Sequence, residues 1–538
     1  MERRKFLKTT ALLSAPLLFN KIPIMASSQI ESSNLQLMAT AAAECGKILV
    51  IIQMNGGNDG LNTVFPLDQW SKLSNARSNI LMNESQVLKL NTNNSTGLHP
   101  AMSEMQKMYN NGQMMIVQGV TYPNPSYSHF RSTDIWFTAS DSDKSLQTGW
   151  LGRALDKKFP GFPLDYPNPD MPDPLAIQIG STLPFSLQGP TINLAYSVPK
   201  PEDLLDVINA TTDPAPNTDY GNELTFLRLM KDQSNVYRSV IKKAYEVPKP
   251  LSANYPTENK LAAQLKIVAG LINGGLKTPI YIVNHPKTHD THEDQVLDIN
   301  RSQGKQAENL SILSQAIGAF QEDLKIIGKS DKVSGMTFSE FGRRIKSNGS
   351  LGTDHGAAAP VMFFGDNLNV EASNIAGSTY PVSGMIGKSP LLPDNATVDD
   401  QVPMQFDFRQ IYSTIMQDWL CMTEDQAKIV LGSKFEKLPI FKTKTSKIID
   451  TDENDDSIFV VYPNPVIDNQ VNIQFTRLSS GLVEAVLSNI QGVKIFEKEF
   501  QIENQQISFR TNNYLATGTY ILRLKFNNNV YFKKLIVQ

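Results

Sequence analysis

Histidine and carboxylate side chains are concentrated in two short segments of this chain. The segment N-H-P-K-T-H-D-T-H-E-D-Q holds three of the six histidines, and G-T-D-H-G holds a fourth. Imidazole and carboxylate groups together bind borderline or hard divalent cations, so the two segments predict a metal site. The simpler alternative is that each Asp–His pair makes only a hydrogen bond at the protein surface.

Two predicted strands would bring part of this chemistry to one place. The apolar runs at residues 333–338 and 360–364 are typical of buried strands. Glu340 follows the first run and His355 precedes the second. Binding sites of α/β proteins lie outside the carboxyl edge of the sheet, which makes both residues candidate ligands.

The body of the chain alternates predicted strands and helices. It begins with a continuous apolar run at residues 47–54, typical of a strand buried on both faces, which ends at N-G-G-N-D-G-L-N-T. The glycines allow close approach of a ligand to the backbone, or simply form a tight strand-to-helix turn. The alternation predicts an α/β domain over residues 45–441 with a mostly parallel, doubly wound sheet.

The C-terminal part follows a different pattern. Residues 442–456 are polar and acidic, which predicts a linker. Residues 457–538 alternate apolar and polar positions, as in V-N-I-Q-F and Y-I-L-R-L-K-F, which predicts a small all-β, antiparallel sandwich. The alternation alone would also fit a carbohydrate-binding or immunoglobulin-like module.

The N-terminus predicts export from the cytoplasm. Arg3 and Arg4 precede F-L-K and an apolar run too short to span a bilayer permanently. The segment resembles a twin-arginine signal peptide, which we expect to cover residues 1–26 with cleavage near Ala26 and to engage the twin-arginine translocase. An amphipathic cytoplasmic helix fits less well, because the run is apolar on all faces. No other apolar run is long enough to predict a membrane span in the mature protein.

Charge and cysteine content exclude several classes of function. The net charge of -3 and the scattered basic residues give no reason to expect a nucleic-acid partner. Cys45 and Cys421 allow at most one disulfide and have no metal-binding spacing. Neither cysteine lies in the C-x-P-x-R context from which formylglycine sulfatases make their nucleophile.

Three motifs near the C-terminus carry a resemblance to a known domain. They are Y-P-N-P at residues 462–465, L-A-T-G-T-Y at 515–520 and K-K-L-I-V at 533–537. Together they resemble the sorting domain of the type nine (Por) secretion system. The resemblance implies the type nine secretion machinery as a partner, and export through the periplasm to the cell surface or the medium.

Six motifs in the body carry a second resemblance. They are G-G-N-D-G-L-N-T-V-F-P, L-H-P-A-M, S-H-F-R-S-T-D-I-W, D-T-H, T-F-S-E-F-G-R-R and G-T-D-H-G. Together they resemble the exported family of unknown function catalogued as domain of unknown function 1501, which is similar to the alkaline phosphatase and sulfatase superfamily. The resemblance implies an alkaline-phosphatase-like fold, divalent metal ions at strand ends and hydrolysis of phosphate or sulfate esters.

The superfamily resemblance also implies roles for particular residues. Asp290 and His292 resemble ligands of one metal, and His355, with Asp354 beside it, resembles the late histidine ligand. Glu340 stands where the superfamily has the Asp of an Asp-His pair. The expected ion is zinc, manganese, calcium or magnesium.

The chain departs from the superfamily pattern at the end of its first strand. The usual metal-binding Asp is replaced by Asn55, and Asp59, four residues later, is the nearest candidate ligand. The nucleophile cannot be identified from the sequence, since Thr63 is merely the nearest hydroxyl. Further catalytic candidates are His129, Arg131 and Arg343, the arginines as ligands of an anionic group.

Two functions from different classes remain open at this stage. The first is an exported, metal-dependent hydrolase of a small phosphate or sulfate ester. The second is an exported or surface-bound, non-catalytic binding protein that retains the fold with an incomplete metal site.

Overall fold

A computed structural model describes most of the chain outside its N-terminus. The described residues are 45–91, 93–201, 214–248, 252–371, 384–442, 459–475, 481–489, 494–502, 505–511, 515–526 and 529–537. The chain divides into two compact units, with the boundary next to Thr443. The expected signal peptide at 1–26, and the expected linker apart from its first residue, lie outside the described residues. The predicted domain limits therefore stay predictions.

The larger unit contains strands and helices in alternation. Its strands are β1 Ile48–Gln53, β2 Val64–Pro66, β3 Leu88–Leu90, β4 Asn93–Leu98, β5 Met114–Thr121, β6 Ala176–Ile179, β7 Ala195–Val198, β8 Ile280–Asn284, β9 Val333–Phe338, β10 Arg343–Ser347, β11 Thr353–His355, β12 Ala359–Gly365, β13 Met385–Ile386 and β14 Phe406–Asp407. Its α-helices are α1 Gly60–Thr63, α2 Trp70–Arg77, α3 Ser103–Asn110, α4 His129–Thr138, α5 Trp150–Lys158, α6 Asp219–Glu246, α7 Lys260–Asn273, α8 Lys305–Ile326, α9 Phe408–Thr414 and α10 Glu424–Leu431. The apolar runs at 47–54, 333–338 and 360–364 thus form strands, as the sequence predicts.

The main sheet is mixed. Its strand order is β13-β5-β12-β9-β1-β8-β6-β7, and β14 also pairs with β5. β1 pairs in parallel with β8 and β9, and β6 pairs in parallel with β7 and β8. β12 runs antiparallel to both of its neighbours, β5 and β9. The sequence predicted β12 as a buried strand but not its direction, because its apolar run is continuous whichever way the strand points.

Both faces of the sheet are buried. Along β1, Leu49 and Ile51 belong to one hydrophobic cluster, whereas Val50 and Ile52 belong to another. Successive side chains of a strand point to opposite faces, so a strand covered on both faces needs apolar residues at every position. Helices supply the covering layers: α4, α5 and α9 contribute to the first cluster, and α3, α7 and α8 to the second.

The smaller unit is built from β-strands. They are β15 Phe459–Ile467, β16 Gln470–Phe475, β17 Leu482–Asn489, β18 Lys494–Gln501, β19 Gln506–Arg510, β20 Gly518–Phe526 and β21 Asn529–Val537. The pairings form one continuous order, β18-β17-β20-β21-β15-β16-β19, in which only β15 and β21 pair in parallel. Phe496 on β18 stacks on Phe509 of β19, with ring centroids 4.2 Å apart. The two edge strands therefore approach through their side chains, and the unit is nearly barrel-like rather than a purely antiparallel sandwich.

Membrane-spanning segments were sought among the described helices. None combines the length and the apolar composition needed to cross a bilayer.

Candidate functional site

The candidate site lies where several strands of the main sheet end. Asn55 and Gly56 follow β1, His285 follows β8, and Glu340 lies two residues after β9. β12 begins at the same edge because it runs antiparallel to β9, and the hairpin of β10 and β11 leads directly into it. The predicted location at the carboxyl edge of the sheet is where these segments meet.

A glycine pair allows the loops of this edge to pack closely. Gly56 and Gly57 have φ values of +109° and +76°, which L side chains rarely adopt. A Cβ atom on Gly56 would lie 2.5 Å from the backbone nitrogen of Asp290, and one on Gly57 would lie 2.2 Å from the ring of Phe341. The glycines of the turn after β1 therefore allow close packing of other protein segments. The sequence alone had also allowed the alternative that they make room for a bound ligand.

Imidazole and carboxylate atoms of four side chains converge at this edge. We call His129, Asp290, His292 and His355 the donor group. One nitrogen or oxygen each from His129, Asp290 and His355 all lie within 4.8 Å of one another. Nε2 of His129 lies 3.4 Å from Oδ2 of Asp290, and Nε2 of His355 lies 3.3 Å from Oδ1. Nε2 of His292 lies 3.1 Å from the same Oδ1 and 2.9 Å from Nε2 of His355.

These separations match those within one coordination sphere. Two ligands at about 2.0–2.1 Å from one zinc ion are about 2.9–3.4 Å apart when the ligand–metal–ligand angle lies between a right angle and the tetrahedral value. The residues present therefore fit a divalent cation. An imidazole-rich donor set favours zinc or another transition metal over calcium or magnesium, which prefer oxygen ligands.

Each of the three imidazole rings is held through its Nδ1 atom. Nδ1 of His129 lies 2.8 Å from Oε1 of Glu340, and Nδ1 of His292 lies 3.1 Å from Oδ1 of Asp354. Nδ1 of His355 lies 2.7 Å from the carbonyl oxygen of Tyr127. An oxygen acceptor at Nδ1 places the proton there and leaves Nε2 free to bind a metal.

The charges of the group are set by its neighbours. Partial burial opposes ionisation of Asp290, but the hydrogen bond and charge of Arg343 hold the pKa of this carboxyl below its ordinary value. The hydrogen bond to Glu340 raises the pKa of His129. Burial lowers the pKa of His355. Phe341 packs on the rings of His129 and His355, with centroids 4.9 and 4.7 Å apart, and forms an apolar wall beside them.

An open cleft of about 650 Å³ begins at this group. His129, Asp290 and Glu340 line one end of it. The rest is lined by amide, hydroxyl, apolar and aromatic side chains and a single lysine; representative residues are Gln53, Gln178, Thr133, Thr288, Phe185 and Lys287. Its volume is in the range of small-molecule sites.

The metal candidates from the sequence take different positions. Asp290, His292 and His355 are in the donor group. Asp354 is outside it and forms a hydrogen bond with His292. Glu340 is buried and accepts hydrogen bonds from the backbone N–H of Gly56 and from His129. It therefore orients a residue of the donor group and does not belong to that group.

Asp59 and Thr63 lie in a buried network outside the donor group. Both carboxylate oxygens of Asp59 accept from Arg77, at 2.8 and 2.7 Å, and one also accepts from Gln295. The Thr63 hydroxyl is buried and bonded to Asn58 and Gln306. The carboxylate of Asp59 is paired with a buried guanidinium and the hydroxyl of Thr63 is buried, so neither residue is in the donor group, and the roles expected for both stay predictions.

The two candidate arginines also bond to other groups of the protein. Arg343 is buried and donates to the carbonyl oxygens of Gly57 and Thr353 and to Asp290. Arg131 pairs with Asp134 and donates to carbonyl oxygens of the 141–144 loop. Most of their N–H groups therefore bond to protein acceptors, and the expected anion-binding role stays a prediction.

His129 is the residue whose role the sequence understated. It begins α4, far along the chain from the other donors, and the sequence marks it only as a catalytic candidate. Its ligand position follows from β5 lying beside β12, which no local pattern reveals. His285 and His289, in contrast, are buried outside the group, and burial lowers the pKa of both.

Comparison with family models matches two segments of the chain. Residues 270–432 match the family described as protein of unknown function (DUF1501). Residues 460–538 match the secretion system C-terminal sorting domain. Both resemblances seen in the sequence are thereby confirmed over these residues. The sorting domain implies a type nine secretion machinery as partner and delivery to the cell surface or the medium. Curated proteins give no match.

Solved structures similar to this chain include sulfatases and members of the alkaline phosphatase superfamily. The PsFucS1 sulfatase from Pseudoalteromonas sp. is 10% identical over 89% of this chain and 87% of its own, with a TM-score of 0.29. A protein in the alkaline phosphatase superfamily from Vibrio parahaemolyticus is 8% identical over 94% of this chain and 91% of its own, with a TM-score of 0.31.

Proposed function

We propose that the protein is an exported, metal-dependent hydrolase of phosphate or sulfate esters. The observation that carries the proposal is the convergence of one nitrogen or oxygen atom each from His129, Asp290 and His355 within 4.8 Å of one another, beside the cleft. His129, Asp290 and His355 would hold one divalent cation, preferably zinc. When bound, the cation supplies Lewis-acid polarisation of the ester and of the attacking water.

The remaining steps fall to side chains next to these donors. His292 is partly exposed, and its Nδ1 is held by Asp354, the arrangement of a proton-transferring histidine and its orienting carboxylate. We assign it the transfer of a proton from water to the leaving group. Lys287 lines the cleft and offers a cation for the ester's anionic oxygens, and its present partner Glu308 is a surface residue that solvent can replace.

One observation favours a second candidate function. Arg343 and Arg131 bond mainly to other protein groups, and the Thr63 hydroxyl is buried, so these three catalytic candidates are largely committed to other contacts. A binding protein that uses its metal to hold an anionic ligand needs neither an arginine clamp nor a hydroxyl nucleophile. The non-catalytic alternative therefore stands beside the hydrolase.

Metal content and ester turnover test the two candidates together. The purified mature protein should retain about one zinc ion per chain after dialysis, and His355→Ala should release most of it. His99→Asn is the matched control, because His99 lies outside the donor group. Turnover of nitrophenyl phosphate or sulfate that a chelator abolishes supports the hydrolase, and bound metal without turnover supports the binding protein. A wild type that retains no metal would refute the hydrolase and favour the binding protein with an incomplete metal site.

Export is proposed to use two successive signals. The twin-arginine signal at residues 1–26 would take the protein into the periplasm, and residues 457–538 would direct it across the outer membrane. The disulfide between Cys45 and Cys421 supports this route, since disulfides persist in oxidising compartments.

A further inference from the structure

A second cavity lies at the opposite edge of the main sheet. This basal pocket, of about 360 Å³, is bounded by the segments that precede β1 and β8 and by the C-terminal end of α5. Five lysines line it, against a single carboxylate, Asp170; they are Lys47, Lys158, Lys277, Lys329 and Lys332. The basal pocket is independent of the donor group and of the function proposed for it.

Lysine ammonium groups outnumber the carboxylates that line the basal pocket. Lys158 is buried, and its Nζ donates to the carbonyl oxygen of Leu420 at 2.6 Å, a neutral acceptor. Nζ of Lys277 donates to another carbonyl oxygen, that of Asp170. Among the ion pairs of the described residues, none involves these two lysines or Lys329 and Lys332. Several ammonium groups around one cavity raise the local concentration of anions.

Part of the lining of the basal pocket is apolar. It is formed by side chains that are otherwise buried; they are Phe159, Tyr166, Met171, Ile272, Leu276 and Leu420. Cys45 also lines the pocket, and its disulfide partner Cys421 follows Leu420. The disulfide therefore fixes two walls of the cavity relative to each other, so little ordering is needed when a ligand enters.

We propose that the basal pocket binds an amphiphilic anion, with its acidic head among the lysine ammonium groups and its apolar body against Phe159, Met171 and Leu276. A purely inorganic anion would leave the apolar wall uncovered. A neutral apolar molecule would leave the ammonium groups uncompensated. A single short chain with one acidic group satisfies both parts of the lining.

The charge state of Lys158 supports this assignment. Burial lowers its pKa to about 8. An anion next to the ammonium group favours the charged form, so binding at pH 8.5 should be accompanied by proton uptake, and binding at pH 7 should not. A surface lysine of ordinary pKa would show no such difference.

Titration calorimetry with octanoate, octanol and inorganic phosphate tests the proposal on the full mature chain. Octanoate should bind at least about tenfold more tightly than either other compound, and Lys329→Glu/Lys332→Glu should weaken it by about tenfold or more. Lys89→Glu/Lys428→Glu is the matched control, because it changes the net charge equally at exposed positions outside both the basal pocket and the cleft. Both pairs should keep the wild-type melting temperature.

Three results would overturn the assignment. Octanoate without measurable binding would show that the lysines only balance the carbonyl groups at nearby helix ends. Equal affinity for octanoate and phosphate would leave no role for the apolar wall. Equal weakening by both double variants would show that octanoate senses net charge and not this pocket.

Discussion

At the residue scale, the acceptors behind the imidazole rings decide whether the donor group can bind a metal. Glu340 orients His129 and is itself fixed by the N–H of Gly56, so its position depends on the turn after β1. Asp354 orients His292 and also accepts from Asn348. Such outer partners commonly change metal affinity by about 10–100-fold when they are replaced.

Glu340→Gln should weaken zinc binding by about tenfold or more, because an amide holds the Nδ1 proton of His129 less strongly than a carboxylate does. Competition with a chromophoric chelator measures the affinity. Asp354→Asn is the matched variant at His292; it should lower ester turnover with little loss of zinc if His292 transfers protons. Unchanged zinc affinity in Glu340→Gln would contradict the orienting role of Glu340.

His99, which lies outside the donor group, should make the free energy of unfolding depend on pH. Burial lowers the pKa of His99 to about 4, and its Nδ1 accepts from the N–H of Ala101. Between pH 6.5 and about 4 the unfolded chain binds a proton at this residue that the folded chain does not, so stability falls as the pH falls. The full effect is about 3 kcal/mol.

His99→Asn should remove this pH dependence while keeping the cap, because an asparagine oxygen can accept from the same N–H group. The free energy of unfolding of the wild type, relative to the variant, should therefore decrease from pH 7 to pH 4.5. Urea titrations at several pH values give the difference, from which the contributions of other histidines cancel. A difference that stays constant with pH would show that the pKa of His99 is the same in the folded and the unfolded chain.

At the element scale, the mixed sheet explains how distant segments reach one edge. β1, β8 and β9 run in parallel and deliver their following loops there. β12 runs the opposite way, so the residues before it, including His355, arrive at the same edge. A parallel β12 would have placed His355 at the other end of the sheet. The strand that departs from the sequence-based expectation is therefore the one that completes the site.

Sequence reasoning located the edge but not the full set of donors. Continuous apolar runs reveal buried strands, and polar residues at their ends follow directly, which is why Glu340 and His355 could be predicted to lie at this edge. Which buried carboxylate meets which arginine depends on the order of strands and loops in space. Asp59 is therefore a plausible ligand in the sequence, and only the structure shows that Arg77 neutralises it. His129 was understated for the same reason.

The glycine turn after β1 offers a test of how the element supports the site. Gly57→Ala should cost about 1–2 kcal/mol from the positive φ alone and more from contact with Phe341, whose ring also supports His129 and His355. Zinc affinity should fall along with the melting temperature. Gly328→Ala is the matched control, because Gly328 has a φ of +64° and open space around its Cβ position. Equal losses of stability in both variants would mean that the ring of Phe341 moves aside at little cost.

At the scale of the whole molecule, a disulfide links the two ends of the larger unit. The disulfide joins Cys45, just before β1, to Cys421, 376 residues later. Cross-linking residues so far apart restricts the unfolded chain strongly, by an amount typically about 2–4 kcal/mol. The smaller unit has a hydrophobic cluster formed only by residues from Phe459 onward. Each unit thus has its own source of stability.

Removal of residues 457–538 should therefore leave the rest of the protein folded, with unchanged melting temperature and zinc content, because no residue of the larger unit's hydrophobic clusters is lost. In cells the truncated protein should accumulate in the periplasm, since the segment that matches the sorting domain is missing. Fractionation with antibodies measures both pools. As a control, the same residues fused to an unrelated exported reporter should carry it to the cell surface or the medium. Normal delivery of the truncated protein would refute the sorting role, and loss of its zinc would show that the two units do not fold independently.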